Sequence, residues 1–379
     1  MAGGLARKER WAWAALGVMA GLWAIGVGWL AIQRHLAFKT SGDLGIFVQA
    51  MWTTAHGRPF YVSVWGAGSN FLGHHFVPLL AVFAPVYRLW PDARLLLVIQ
   101  VALLALAVVP LYVFARPRLG PWGGLLVAAA YLLYPALAYI AFADFHEITL
   151  TVPLLMAAGA ALLNKRLRAA TIWLVLAMLL KEEVVLIAMG FGLYAMFFLG
   201  RRRYGVALVM LSALWGLLLV LVIMPALAGG VGYSFFSRYT TLGNTLPEML
   251  HTLLLRPATI YHLVITPQKL LYTLQLLVPL AFLPLVGFPA ILLALPTYAY
   301  SMLSDYAFQT SIIYQYTAPL IPFLMLATVV GLQRIRRRQN RAFHWAAIAL
   351  AATTLISARL LSPLPGGQAY NADTFRVTQ

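Results

Sequence analysis

The chain has no cysteine and very little charge. Of its 379 residues only 10% are Asp, Glu, Lys or Arg, against 62% hydrophobic. The first absence excludes a disulfide framework, thiolate metal ligands and a cysteine nucleophile, and it leaves the redox compartment unreadable. The second excludes an ordinary soluble domain, which must cover itself with polar side chains. A chain of this composition is an all-α polytopic membrane protein. Also missing are a phosphate-binding loop before a helix, a dinucleotide fingerprint and a nucleophile elbow, so ATP-driven transport and serine hydrolysis lose support. Acids are scarce, 10 against 27 Lys and Arg. In a soluble protein that excess would point to nucleic acid. Here the basic residues stand in short clusters between apolar runs, which membrane topology explains without a nucleic-acid partner.

The run Trp11 to Ile32, after RKER, is too long for a secretion signal and lacks a small-residue cleavage pattern, so it reads as the first span. With about 20 residues needed to cross the hydrocarbon, spans are expected near 11–32, 94–115, 119–141, 148–164, 169–181, 183–200, 205–227, 270–286, 288–303, 317–332 and 342–361. That makes about eleven, in a single domain over 1–361. The stretch 76–90, broken by Pro78 and Pro85, would reverse everything after it if it crossed. Positive charge decides the matter: with 76–90 kept outside, the inner segments are RKER at 7–10, RPR at 116–118, KRLR at 165–168, RRR at 201–203 and RIRRRQNR at 334–341. These short loops hold most of the Lys and Arg, with the N-terminus inside the cytoplasmic membrane. Residues 33–93 become the first outer loop, 229–269 a second, and 362–379 a short polar outer tail expected to be loose. The same arrangement sends every acid but Glu9 to the outer side or the outer end of a helix, so a site is expected on that face.

Several motifs gather there, each with a plain structural reading beside the functional one. Asp43 opens a helical pattern, Leu44, Phe47, Val48 and Met51, that reads as an amphipathic helix lying on the membrane surface. Asp43 is expected to cap that helix, and a carboxylate so placed can also act as general base. The DFHE motif (Asp144, His146, Glu147) lies between two spans, either as a polar turn whose acids cap the next helix or as a catalytic or cation-binding group. Lys181, Glu182 and Glu183 interrupt an apolar run, at a cost of about 2.5–3.5 kcal/mol each at a bilayer centre. We read them as two short helices meeting at an outer, water-filled cavity, where Lys181 meets a phosphate. His74 and His75 are either an interfacial pair or substrate contacts, with no further ligand spacing for zinc. The loop 233–244 combines aromatics with Arg238 and Tyr239, and Tyr314 and Tyr316 follow in YQY; sugar or phosphate binding and aromatic-belt anchoring serve equally for both. RIRRRQNR reads as a topology anchor with some attraction to anionic lipid.

Taken together, DLGIFVQAMW (43–52), GHHFVP (73–78), PVY (85–87), DFHE, KEE, RYTTLG (238–243) and YQY resemble a family of bacterial and archaeal membrane proteins. That family is known only as a domain of unknown function and groups with the GT-C glycosyltransferase superfamily. The resemblance implies a GT-C-like fold and transfer of a sugar from a polyprenyl-phosphate donor to a cell-envelope glycan, lipid or protein acceptor. It makes Asp43 the base, with Asp144 and Glu147 as a second acidic motif. Lys181 or Arg238 would neutralise the leaving phosphate, and Gln49, His74, His75, His146, Glu182, Glu183, Tyr239 and Tyr316 would be further substrate contacts. The resemblance settles no cofactor, and a divalent cation is left open. The superfamily's paired acids are absent, since Gly42 and Leu44 flank Asp43. The alternative is a transporter or flippase for a lipid-linked or small anionic substrate; a non-catalytic membrane scaffold ranks third.

Overall fold

The computed structural model describes residues 2–66, 68–142, 144–230 and 233–377. Parts of the expected outer loops, at 67 and at 231–232, and the last two residues of the tail lie outside the described residues. Helices account for nearly all regular structure. Among the described residues there is no strand, only an isolated antiparallel bridge between Tyr61 and Asn70.

Among the described residues, five helices are long and apolar enough to cross a membrane: Lys8–Leu36, Ala93–Leu132, Arg202–Leu227, Gln315–Arg338 and Asn340–Leu361. A sixth results if Pro257–Val264 and Pro267–Leu280, bent by 62°, form one broken span. The expected count of about eleven is not reached by helices of that length. The stretches expected at 148–164, 169–181 and 183–200 are helices of 13, 12 and 15 residues, about 18–23 Å long at 1.5 Å per residue, short of a hydrocarbon core of about 30 Å. At 270–286 the helix breaks where Ala281 and Phe282 take left-handed φ of +49° and +55°. The stretch Pro78–Leu89 is also a short apolar helix.

The longest run, Ala93–Leu132, is not a straight rod. Gly120 has φ +80° and ψ 170°, a conformation that only glycine adopts without strain. A Cβ built on Gly124 would fall 2.9 Å from the ring of Tyr112. Twelve residues of straight helix would separate these positions by about 18 Å, so the chain reverses at Gly120 into a hairpin.

The expected sorting of charge has a geometric counterpart. Arg116 pairs with Glu9 at 3.6 Å, Arg118 donates to Asn164 at 2.6 Å, and Arg336 donates to the Arg118 carbonyl at 3.1 Å. The basic segments near 9, 117, 165 and 336 therefore meet at one end of the bundle. Its flanks are apolar and unpartnered: only 11% of the best window of Arg202–Leu227 is buried, and 17% of that of Asn340–Leu361.

A large core fills the bundle, and a second core lies under the first loop. Of the first two helices, α1 (Ala2–Leu36) and α2 (Gly42–Ala55), the second buries Leu44, Phe47, Ala50 and Met51. Phe47 meets Phe71 at 4.9 Å and Phe145 at 5.0 Å, both edge-on. The expected apolar face exists, but it packs on protein rather than on lipid, because the folded loop 57–80 and the DFHE turn supply their own apolar surface to it.

Candidate functional site

The position of Asp43 follows from a closed ring of hydrogen bonds. Ser41, in extended conformation, is the N-cap of α2, and its hydroxyl accepts the Asp43 N–H at 3.3 Å. Asp43 is thus not the cap expected of it. It lies in the first turn, where the helix dipole favours a negative charge, and its carboxylate is free to face a partner. That partner is His146, whose Nε2 lies 3.4 Å from Asp43 Oδ2. The other imidazole nitrogen, Nδ1, donates to the Asp144 carbonyl at 2.7 Å. The Asp144 carboxylate in turn accepts the Ser41 N–H at 2.7 Å and approaches Arg34 at 3.5 Å, while Arg34 also donates to the Phe142 carbonyl. One residue, Asp144, therefore holds the histidine by its main chain and the helix carrying Asp43 by its side chain. The hydrogen bond to His146 holds the Asp43 carboxyl below its ordinary range; partial burial opposes this, and the charges of His146 and His75 reinforce it.

Gln100 fixes the DFHE turn from behind. Its Oε1 accepts both the His146 N–H and the Thr149 hydroxyl at 2.9 Å, and its amide donates to the Ile140 carbonyl at 3.2 Å. Asp144 and Glu147 do not cap the following helix: the residue at its cap is His146, with no side-chain bond.

A second cluster is buried beside the first. Lys181 Nζ donates to Glu147 at 2.7 Å, lies 3.5 Å from Glu182 and contacts His75 Nδ1. His75 Nδ1 stands 3.3 Å from Glu182. Glu182 also accepts the Phe76 N–H and the Tyr233 hydroxyl, each at 3.2 Å, and Glu183 accepts the Tyr300 hydroxyl at 2.5 Å. Two short helices do meet here, as expected, but the junction is not water-filled: Lys181 and Glu182 are 6% and 5% exposed. Adjacent residues on a helix cannot pair; at the turn between Leu167–Met178 and Val184–Phe198 the backbone is not helical, so Lys181 and Glu182 can. Burial by itself would raise the Glu182 carboxyl, yet the charges of Lys181 and His75 outweigh it and hold Glu182 well below the usual range. With its ammonium taken by carboxylates, Lys181 has no free donor face for a phosphate.

Asp43 and His146 open onto a cavity of about 450 Å³. Its walls also include Arg34, Tyr139, Phe142, Tyr306, Tyr314 and Tyr316. Behind two of these rings sits Arg238, whose guanidinium lies 4.4 Å from the Phe235 ring, 4.8 Å from Tyr306 and 5.2 Å from Tyr316. Among the described residues no carboxylate pairs with it. Its backbone is pinned by the Asp305 N–H and the Ser304 hydroxyl, at 2.8 and 3.1 Å.

The structure thus brings Asp43, Asp144, His146 and Tyr316 to the cavity, and His75, Glu147, Lys181, Glu182 and Glu183 to the buried cluster, with Arg238 near the cavity through Tyr306 and Tyr316 and near the cluster through Phe235. His75 stacks on the same Phe235 ring at 4.9 Å. Tyr239 is half-buried and does not line the cavity. Gln49 is engaged elsewhere, donating to the Ser63 hydroxyl at 3.0 Å and accepting the Ser63 N–H at 3.1 Å. His74 stacks on Trp65 at 3.6 Å. Sequence reasoning missed Arg34, which resembled a flank of the first span, and Gln100, whose polar side chain within an apolar run was the available signal. Among the described residues, no group of three His, Asp or Glu is arranged to hold a metal ion.

The family model that matches is described as "Predicted membrane protein (DUF2079)" and covers residues 34–376. The chain belongs to this family. The match runs from Arg34 through the first loop, the buried cluster and the cavity walls. A family of predicted membrane proteins agrees with the apolar flanks of the bundle, and it carries no assigned activity. No curated protein matches the chain.

Proposed function

We propose that the protein is a membrane glycosyltransferase of GT-C type, which moves a sugar from a polyprenyl-phosphate carrier to a hydroxyl of a cell-envelope acceptor. The observation that carries this reading is Asp43: a 60% exposed carboxylate on the rim of an aromatic cavity, held in place by the ring through Ser41, Asp144 and His146. Such a group can take the acceptor's proton as the acceptor oxygen bonds to the anomeric carbon and the bond to the carrier phosphate breaks, with inversion. The carrier leaves as the polyprenyl phosphate, and its charge is met by Arg238, the cation of this region without a carboxylate partner. In this reading the basic end of the bundle lies in the cytoplasm, the cavity opens on the outer face of the plasma membrane, and the short apolar helices act as partial crossings within a GT-C-like arrangement of about eleven segments. The test is sugar transfer to envelope acceptors by Asp43→Asn, which keeps the shape and removes the base. Transfer falls by about 100- to 10,000-fold with an unchanged melting temperature. Full activity in this variant would reject the assignment.

The buried cluster at the junction of two short helices favours a second reading, a transporter or flippase for an anionic or lipid-linked substrate, since broken helices with ionisable groups serve transport as well. Counterflow of cargo in proteoliposomes, independent of Asp43, would select it over transfer.

A further inference from the structure

The C-terminal tail, expected to be loose, folds back onto the cavity. After Leu361 the Leu364 N–H bonds the Ser362 hydroxyl at 3.2 Å, and the Gln368 N–H bonds the Arg359 carbonyl at 2.7 Å. The turn depends on glycine: Gly366 has φ +93°, and a Cβ on Gly367 would fall 2.1 Å from the Ser362 carbonyl oxygen. Further on, Tyr370 lies flat against Phe375, at 5.5 Å and 11° between planes, and Phe375 meets Phe142 edge-on at 5.3 Å. The Asn371 side chain accepts the Asp373 N–H at 3.0 Å and rounds the chain into a short turn. Pro363, Ala369, Asn371, Thr374 and Phe375 line the same cavity as Asp43 and His146.

We infer that this segment is a wall of the ligand site, and that Phe375 is a specificity-determining residue limiting the size of what reaches Asp43. Of the remaining walls, Asp43, Phe142 and His146 belong to elements packed into the two cores, whereas Tyr306, Phe308 and Ile313 lie on a partly exposed segment whose side chains belong to neither core. The tail is held at its far end by Phe375, which meets Phe142 and packs on the main core, and otherwise exposes Asn371, Ala372 and Asp373, so it is a wall that opens at low cost. The ligand chemistry it suits is a hydroxyl-bearing ring: the Phe375 face packs on the ring's apolar side, while the Asn371 amide and Thr374 hydroxyl can bond its oxygens. The inference rests on the cavity and not on transfer chemistry.

The absence of cysteine makes the test direct. Gln315 lines the cavity and is half-buried, so Gln315→Cys in the full-length protein is a single reporter for a water-soluble maleimide. Adding Phe375→Ala raises its labelling rate by about tenfold or more, and more steeply for a polymer-linked maleimide than for N-ethylmaleimide, whereas Phe375→Tyr leaves both rates unchanged. Equal rates in all three proteins, each folded by thermal melting, would overturn the proposal. If Phe375→Ala does not fold, Phe375→Leu replaces it, with a smaller increase expected and the same equality decisive against.

Discussion

The Asp144 carboxylate accepts the Ser41 backbone N–H at 2.7 Å across 103 positions of sequence. This bond docks the start of α2 onto the DFHE turn, so the geometry of Asp43 depends on a residue that does not itself need to meet substrate. Asp144 is 6% exposed and carries a hydrogen-bonded charge. Asp144→Ala is expected to destabilise the protein by about 2–3 kcal/mol, since it removes a charged acceptor, leaving Arg34 without its carboxylate and the Ser41 N–H unpaired. Asp144→Asn, which still accepts from Ser41, costs less. Denaturant unfolding in detergent reads the difference, and equal costs for the two variants would deny the Ser41 bond its role.

The buried Lys181–Glu147 pair gives an asymmetric prediction. Removing one partner of a buried ion pair costs about 3–5 kcal/mol. Lys181→Met strands two carboxylates, Glu147 and Glu182, whereas Glu147→Gln leaves Lys181 still beside Glu182. The lysine variant is therefore the more damaging, and the double variant is less unstable than the sum of the singles. A double-mutant cycle without coupling energy would show that the contact contributes nothing.

Glu182 sets a pH dependence with a definite sign. Its folded pKa is depressed, so its contribution is fully present above the unfolded carboxylate value of about 4.3 and is lost only as pH falls through the lower folded value. Melting temperatures of the wild type and Glu182→Gln should differ by a constant amount from pH 7 to about pH 4.5 and converge below that. Convergence already near neutrality would contradict the charge assignment.

Arg238 should be more than a charge. Its guanidinium lies against the rings of Phe235, Tyr306 and Tyr316, an arrangement that a compact ammonium does not reproduce. Arg238→Ala is expected to weaken binding of a polyprenyl phosphate by about 10- to 100-fold, and Arg238→Lys to recover only part of it. Affinities from tryptophan fluorescence would check this, and unchanged binding in the alanine variant would remove Arg238 from the phosphate role.

Reading the chain residue by residue already assigned it to the membrane, because no arrangement of 62% hydrophobic residues can cover itself with polar surface. The gathering of basic segments was legible for the same kind of reason: charge at the end of an apolar run is a local property. So was the helix at Asp43, whose apolar face has helical spacing. Packing was not local. Only the tertiary structure decided that this face rests on Phe71 and Phe145 instead of lipid, that Ser41 caps the helix while Asp43 turns to His146, and that Lys181 is consumed by Glu147 and Glu182. Likewise, a Pro- and Gly-rich tail looks loose in isolation, yet Gly366 and Gly367 permit the turn that returns Phe375 to Phe142. Composition and periodicity determined which residues seek water and which avoid it; contacts between residues a hundred positions apart decided which polar groups remain free to act.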